Sequence, residues 1–361
     1  MGMIVLLAAL VYVAWRIYTV LPVGKWIRVA VLALYGVAAV AFGLAITGNL
    51  DRLPMGLASA TYVYGNSWLI FMLYAFLIFG LMDVLRLMKI LPAKLLKESL
   101  AGSIIVFGTI AVLLVAGGIH YNHKYRREIT VATAKVSKPV KIVLSSDLHM
   151  GYHNRHREIA RWVNMINAEE PDLVIFAGDL IDRSLRAVTA DHDAARLLKI
   201  KAPVYACLGN HEYYAGVDEA VAFYKTAGIT LLRDSLATDC GITLIGRDDQ
   251  VNENRRKLVN ILSGADKNSF KLLLDHKPYS MLEAQLSGID FQFSGHTHNG
   301  QVWPVSLITR VQSELSYGYC QKGDTRYYVT SGLGIWGGKF RIGTCSEYLV
   351  LNLVPETTPE N

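Results

Sequence analysis

At 361 residues the chain has room for two folding units, and 52% hydrophobic content with a mean hydropathy of +0.29 is too apolar for an ordinary soluble protein of that size. A net charge of +6 on a charged fraction of only 18% leaves nucleic acid, an anionic membrane surface or an anionic substrate as counterparts, and the apolar excess favours the membrane. Cys207, Cys240, Cys320 and Cys345 show neither CxxC pairing nor zinc-like spacing, which sets a zinc module aside and reads as scattered core thiols; a Cys320 to Cys345 disulfide stays open.

Apolar residues concentrate before about residue 120. A bilayer span needs about 20 of them, and Val29 to Ile46, Gly65 to Met82 and Leu100 to Ile119 approach or meet that length. A further candidate, Met3 to Leu21, is interrupted by Arg16, whose long side chain near a helix end can snorkel to the headgroups. Tyr12, Trp15, Tyr18, Trp26 and Trp68 near these ends fit interfacial aromatic belts, so residues 1–122 are expected to form a transmembrane α-helical region of about four spans. Arg16, Lys25 and Arg28 flank the first loop and Arg86, Lys89, Lys94 and Lys97 the third, against Arg52 alone in the second. This bias places the first and third loops in the cytoplasm and the domain after the last span outside it, although Lys124, Arg126 and Arg127 pull the other way.

Residues 123–139 read as a linker, and the roughly 20 residues from His120 to Pro139 would hold the C-terminal domain near the membrane. From Val140 the texture changes to short apolar runs, Lys141 to Leu144, Leu173 to Phe176, Val204 to Cys207, Lys271 to Leu274 and Phe291 to Phe293, which read as buried strands. Helical spacing in Glu158 to Asn167 and Asp191 to Leu198 alternates with them, giving an α/β domain over 140–354 and a polar tail at 355–361.

Each of these strands runs into metal-competent polar groups. Ser146-Asp147-Leu148-His149 follows the first and Gly178-Asp179-Leu180-Ile181-Asp182 the second. Gly209-Asn210-His211-Glu212 follows the third, Asp275-His276 the fourth and Gly295-His296-Thr297-His298 the fifth. Ligands of α/β sheets bind at the carboxyl ends of strands, so five segments deliver carboxylates, imidazoles and an amide to one edge. Any one of these motifs alone is more often a solvated turn. Five of the ten histidines fall inside them, however, while His120, His123, His153, His156 and His192 lie in linker or helix-like sequence.

In their order and spacing, Asp147-x-His149, Gly178-Asp179-x-x-Asp182, Gly209-Asn210-His211-Glu212, His276 and Gly295-His296-x-His298 resemble the motifs of the calcineurin-like metallophosphoesterase superfamily over about Val140 to Leu353. The resemblance implies a two-sheet β-sandwich flanked by helices, with a dinuclear metal centre at one edge. By motif position, Asp147, His149, Asp179 and His298 would hold one ion, and Asp179, Asn210, His276 and His296 the other, with Asp179 bridging. His211 would be left to stabilise or protonate the leaving oxygen, and Asp182 and Glu212 would orient ligands, a solvated turn acid being the competing reading for Glu212. Carboxylate, imidazole and amide donors without thiolate suit manganese or zinc, and also iron or cobalt.

The segments from His298 to Pro304 and from Ser331 to Trp336 are similar to those of a membrane-attached or exported branch that acts on phosphodiesters or pyrophosphates of lipid-linked molecules. Trp303 and Trp336 are candidates for an apolar substrate mouth, and Lys339 and Arg341 for phosphate contacts. The expected activity is hydrolysis of a phosphoester or pyrophosphate bond on a lipid-linked substrate at the membrane surface. Alternatives are an anchored phosphodiesterase acting on soluble nucleotides or nucleic acid, and a non-catalytic membrane receptor or scaffold. The catalytic domain has no Lys/Arg-rich run, which counts against nucleic acid.

Overall fold

The computed structural model describes residues 2–356, and the chain separates into two compact units. The first runs up to Ile119 and takes in Gly337–Phe340; the second comprises His120–Trp336 and the chain from Arg341 onward.

The first unit is built on helices α1 (Gly2–Val20), α2 (Lys25–Ile46), α3 (Met55–Leu87) and α4 (Leu100–Asn122), whose last residues belong to the second unit. The last three are long and apolar enough to cross a membrane, and α1 contributes a shorter apolar stretch, Leu6–Val20. Leu34, Val37 and Val40 on α2 and Val112 and Val115 on α4 face outward, as on helices that are apolar all round and meet lipid. Gly65 lets α3 approach α2 closely, since a Cβ there would lie 2.4 Å from the Phe42 nitrogen. Arg16 does not snorkel. It is buried and ion-paired with Asp83 of α3, to which the Tyr12 hydroxyl also donates at 2.5 Å, because a cation inside a helix bundle needs a partner more than it needs water.

The second unit is a sandwich of two six-stranded sheets. Its strands are β1 (Lys124–Thr133), β2 (Val140–Ser145), β3 (Leu173–Ala177), β4 (Val204–Cys207), β5 (Ile229–Leu231), β6 (Ser235–Asp239), β7 (Ile242–Gly246), β8 (Phe270–Leu274), β9 (Phe291–Ser294), β10 (Gly318–Lys322), β11 (Thr325–Val329) and β12 (Ser346–Pro355). One sheet has the order β1-β12-β2-β3-β4-β5 and the other β10-β11-β9-β8-β7-β6. Alternation sorts the core: Ile142, Leu144, Ile175, Leu272, Phe291 and Leu351 fill the space between the sheets. Val143, Val174, Phe176 and Val350 turn to the opposite face and pack on Ile159, Trp162 and Ile166 of α5 (His156–Ala168). With both faces buried, the central strands are mostly apolar, Lys141, Lys271 and Gln292 being exceptions.

The expected linker at 123–139 is not a loose tether. Ten of its residues form β1, which pairs in parallel with β12 from Lys124 opposite Ser346 to Thr133 opposite Pro355. The strand escapes local prediction because its partner lies more than 200 residues away and its outer face is charged, with Arg126 paired to Glu128 and Glu169. Of the expected polar tail, Pro355 ends β12, and 357–361 lie outside the described residues. All four cysteines are free.

Strands β2, β3 and β4 are adjacent and parallel, as are β8 and β9 in the facing sheet, so within each set the carboxyl ends fall at the same edge. The loops stay bonded beyond the strands: Asp147 N donates to Gly178 O at 3.1 Å, His149 N to Asp179 O at 3.0 Å, and Gly295 N to His276 O at 2.9 Å.

Candidate metal centre

These loop ends bring the donor atoms together in overlapping groups, each within 4.8 Å: Asp147, His149 and His298; Asp179, His276 and His296; and His149, Asp179 and His211. In the first group His149 Nε2 and His298 Nε2 are 3.0 Å apart, and Asp147 Oδ1 lies 3.8 and 3.5 Å from them. Asp179 reaches toward both sides, with Oδ2 3.8 Å from His149 Nε2 and 3.1 Å from His276 Nε2. Its other oxygen accepts from His211 N at 2.9 Å, which fixes the carboxylate plane.

Second partners set the imidazole tautomers. His276 Nδ1 lies 2.7 Å from the Ala177 carbonyl, which can only accept, so Nδ1 carries a proton and Nε2 is the ring nitrogen turned toward Asp179. His211 Nδ1 donates in the same way to Asp182 O at 3.0 Å and lies 3.2 Å from Asp182 Oδ1, leaving Nε2 free. Asp182 Oδ1 is also 3.5 Å from His149 Nδ1, so one buried carboxylate orients two histidines.

Glu212 is fully buried and accepts from the backbone N–H groups of Asp179 at 3.0 Å, Ile181 at 3.0 Å and Gly209 at 2.8 Å. It is therefore the clasp between the loops after β3 and β4, and the solvated-turn reading is set aside. Close packing explains the glycines: a Cβ on Gly209 would stand 2.2 Å from Asp179 Oδ1, and one on Gly295 2.2 Å from Asp147 Oδ2.

Five donors, Asp147, His149, Asp179, His296 and His298, have φ between 45° and 69°. Left-handed backbone is uncommon for such residues and is sustained only where the surrounding structure imposes it, as at functional sites. Electrostatics agree. Burial opposes ionisation of Asp147, yet His298, the nearby His149 ring and the charge on His276 hold its carboxyl well below the usual range. Burial is likewise outweighed at Asp179, by His276 and His211, and at Asp182, by the His149 and His211 rings beside it. Desolvation acts against protonation of His149 and His276, but the carboxylates raise both to about 10. It dominates at His296 and His298, which fall to about 4 and about 3.

Three buried carboxylates thus demand positive charge, and the donor set fits divalent metal ions. Buried Asn210 Oδ1 and His276 Nε2 have no hydrogen-bond partner among the described residues, as donors reserved for coordination would not.

The other candidates divide. Trp303 is half exposed and Trp336 half buried. Arg341 is not a phosphate contact: it is 1% exposed, and its guanidinium donates to the carbonyls of His298 at 2.8 Å, Ser331 at 2.5 Å and Gly334 at 3.2 Å, bracing the loops behind the donors. Lys339 belongs to the Gly337–Phe340 segment of the helical unit. Two aromatic walls of the site were not expected from the sequence. Tyr214 packs on His211 with ring centroids 5.2 Å apart and carries Arg183 over its face, and Tyr279 stands edge-on to His296 at 5.9 Å. The spacing of His211 and Tyr214, three residues apart on the helix Asn210–Ala215, was the available signal.

Such an edge, with carboxylates and imidazoles clustered at parallel strand ends, has the donor set of a divalent-metal centre. The family model for the calcineurin-like phosphoesterase matches residues 140–300. An uncharacterized metallophosphoesterase of Bacillus subtilis is 31% identical over 257 residues, 64% of this chain and 88% of the relative. One of Helicobacter pylori is 31% identical over 236 residues, 64% of each chain, so this chain spans just under two thirds of that relative's length. A zebrafish transmembrane protein with metallophosphoesterase domain is 30% identical over 232 residues, 60% of this chain and 53% of its own. The chain belongs to the calcineurin-like metallophosphoesterase family.

Proposed function

We propose that the chain is a metal-dependent phosphoesterase that works with two divalent ions, manganese or zinc in the first instance, and hydrolyses a phosphodiester or pyrophosphate bond of a lipid-linked substrate. The observation that carries the two-ion reading is Asp179 Oδ2, within reach of both His149 and His276. Asp147, His149, Asp179 and His298 would hold one ion and Asp179, Asn210, His276 and His296 the other; when bound, such a pair clamps phosphoryl oxygens and supplies hydroxide near neutral pH. Asp182 holds His149 and His211 in their tautomers. His211 Nε2 faces the reacting group and delivers a proton to the leaving oxygen, with the Asp182 carboxylate beside the ring to accompany the imidazolium. Glu212 and Arg341 keep the loops from spreading.

The lipid reading is supported by apolar surface next to the donor loop. After His298, Trp303 is 52% exposed, and helix α6 (Val305–Gln312) presents Leu307, Ile308 and Val311 at 48%, 54% and 89%. A run of this kind outside a core marks a ligand or membrane contact. Substrates with an acyl or isoprenyl chain are expected to show higher kcat/KM than their soluble head-group analogues in the same detergent, and Ile308→Asp/Val311→Asp should narrow the gap. Equal kcat/KM for chain-bearing and soluble substrates would favour the soluble-nucleotide alternative.

The excess of cations in the first and third loops supports a catalytic unit outside the cytoplasm. In intact cells an impermeant thiol reagent is then expected to label a cysteine placed at exposed Tyr319, and not one placed at Lys94. The reverse pattern overturns that orientation.

A further inference from the structure

The helical unit carries a polar cavity whose lining shares no residue with the metal-ligand cluster. The end of α1, the start of α2 and the end of α3 with the loop behind it enclose a cavity of about 350 Å³. Arg16, Arg28, Arg86 and Lys97 line it, with Trp15 and Tyr18 as aromatic walls. The guanidinium of Arg16 lies 4.2 Å from the Trp15 ring centroid and that of Arg28 5.5 Å from Tyr18, so both heads are held in place.

Two of the cations are neutralised, Arg16 by Asp83 and Arg28 by Glu98 at 3.0 Å. Arg86 and Lys97 have no ion-pair partner among the described residues, which leaves four cations against two carboxylates and an excess of two positive charges. Beyond Arg28 the character changes within a single helical turn. Val31 and Tyr35 of α2 enter an apolar cavity of about 310 Å³ whose other walls include Ile17, Trp68 and Phe71. A cationic cup at the end of apolar helices, with an apolar groove one turn further along, matches a molecule that is anionic at one end and aliphatic at the other.

We propose that this cup binds the phosphate headgroup of an anionic phospholipid, with Arg86 and Lys97 as the contacts that answer its charge and an acyl chain lying along Val31 and Tyr35. Arginine supplies a fork matched to phosphate oxygens, and basic pockets between membrane helices hold acidic headgroups by this chemistry. The site is separate from the metal-ligand cluster and does not depend on which substrate that cluster takes.

The test uses the full chain in neutral detergent, titrated with phosphatidylglycerol or phosphatidylcholine, with retained lipid counted by native mass spectrometry. The wild type is expected to keep one phosphatidylglycerol at concentrations where phosphatidylcholine is lost. Arg86→Gln/Lys97→Gln should weaken that retention about twenty-five-fold, from roughly fivefold per cation. Lys89→Gln, in the same loop but outside the cavity, should change nothing. Hydrolysis of bis-p-nitrophenyl phosphate checks that each variant is folded; if the double variant fails that check, Lys97→Gln alone, at about fivefold, decides. Equal retention of the two lipids by the wild type, or an equal loss in Lys89→Gln, would show diffuse surface charge and overturn the site. Displacement of the lipid by equimolar inorganic phosphate or glycerol phosphate would assign the cup to a soluble anion and overturn the lipid reading.

Discussion

Asp179→Asn is expected to give a folded protein that neither turns over a phosphodiester nor keeps its metal complement. The amide preserves the shape of the side chain and can still accept from His211 N through its oxygen, the bond Asp179 Oδ1 makes at 2.9 Å. What changes is the other position, where an NH₂ group would confront His276 Nε2 and His149 Nε2 in place of an anionic oxygen 3.1 and 3.8 Å away. One substitution therefore removes the negative charge shared by both donor groups and sets a donor where a ligand atom stood. The loss of turnover should exceed the roughly 10–100-fold that residues behind the ligands typically cost. Metal analysis alongside a diesterase assay checks it, and full activity with undiminished metal would remove Asp179 from the bridging role.

His211→Ala should behave differently, with metal retained and kcat lowered by about 10²–10⁴-fold, the usual worth of general acid help. The ring sits beside the donor group rather than only in it: Nδ1 is engaged by Asp182 and Nε2 is free. Because the proposed step is proton delivery to the leaving oxygen, the deficit should shrink for a p-nitrophenol leaving group, which departs as an anion, and be largest for an alkoxide. His211 also shares a cluster with His149 and Asp179. Loss of a metal ion in the variant, with the same deficit for every leaving group, would make it a ligand instead.

Much of this site was legible because it lies just past strands that are legible. With both faces of β2, β3, β4, β8 and β9 buried, each reads as an apolar run, and its carboxyl end points to the polar residues that matter. The edges were harder. β1 carries Lys124, Arg126, Arg127 and Glu128 and owes its conformation to β12, so no local pattern announces it. Nor does sequence spacing reveal that Asp147, His149, Asp179, His296 and His298 adopt left-handed backbone, a state imposed by the packed loops around them. Arg341 shows the same limit in reverse: a cation near a phosphate motif invites a substrate role, and only its burial against three carbonyls shows that its charge is spent on the scaffold.

The paired donor groups that share Asp179 are the centre of the proposed chemistry. The direct measurement is metal content per chain, by elemental mass spectrometry of the detergent-purified protein, before and after chelation and on stepwise return of manganese or zinc, with phosphodiesterase activity recorded throughout. The expected result is two ions per chain, activity lost on chelation and regained only as the second ion returns. Full activity with one ion, or undiminished activity after chelation with none, would contradict the two-ion centre.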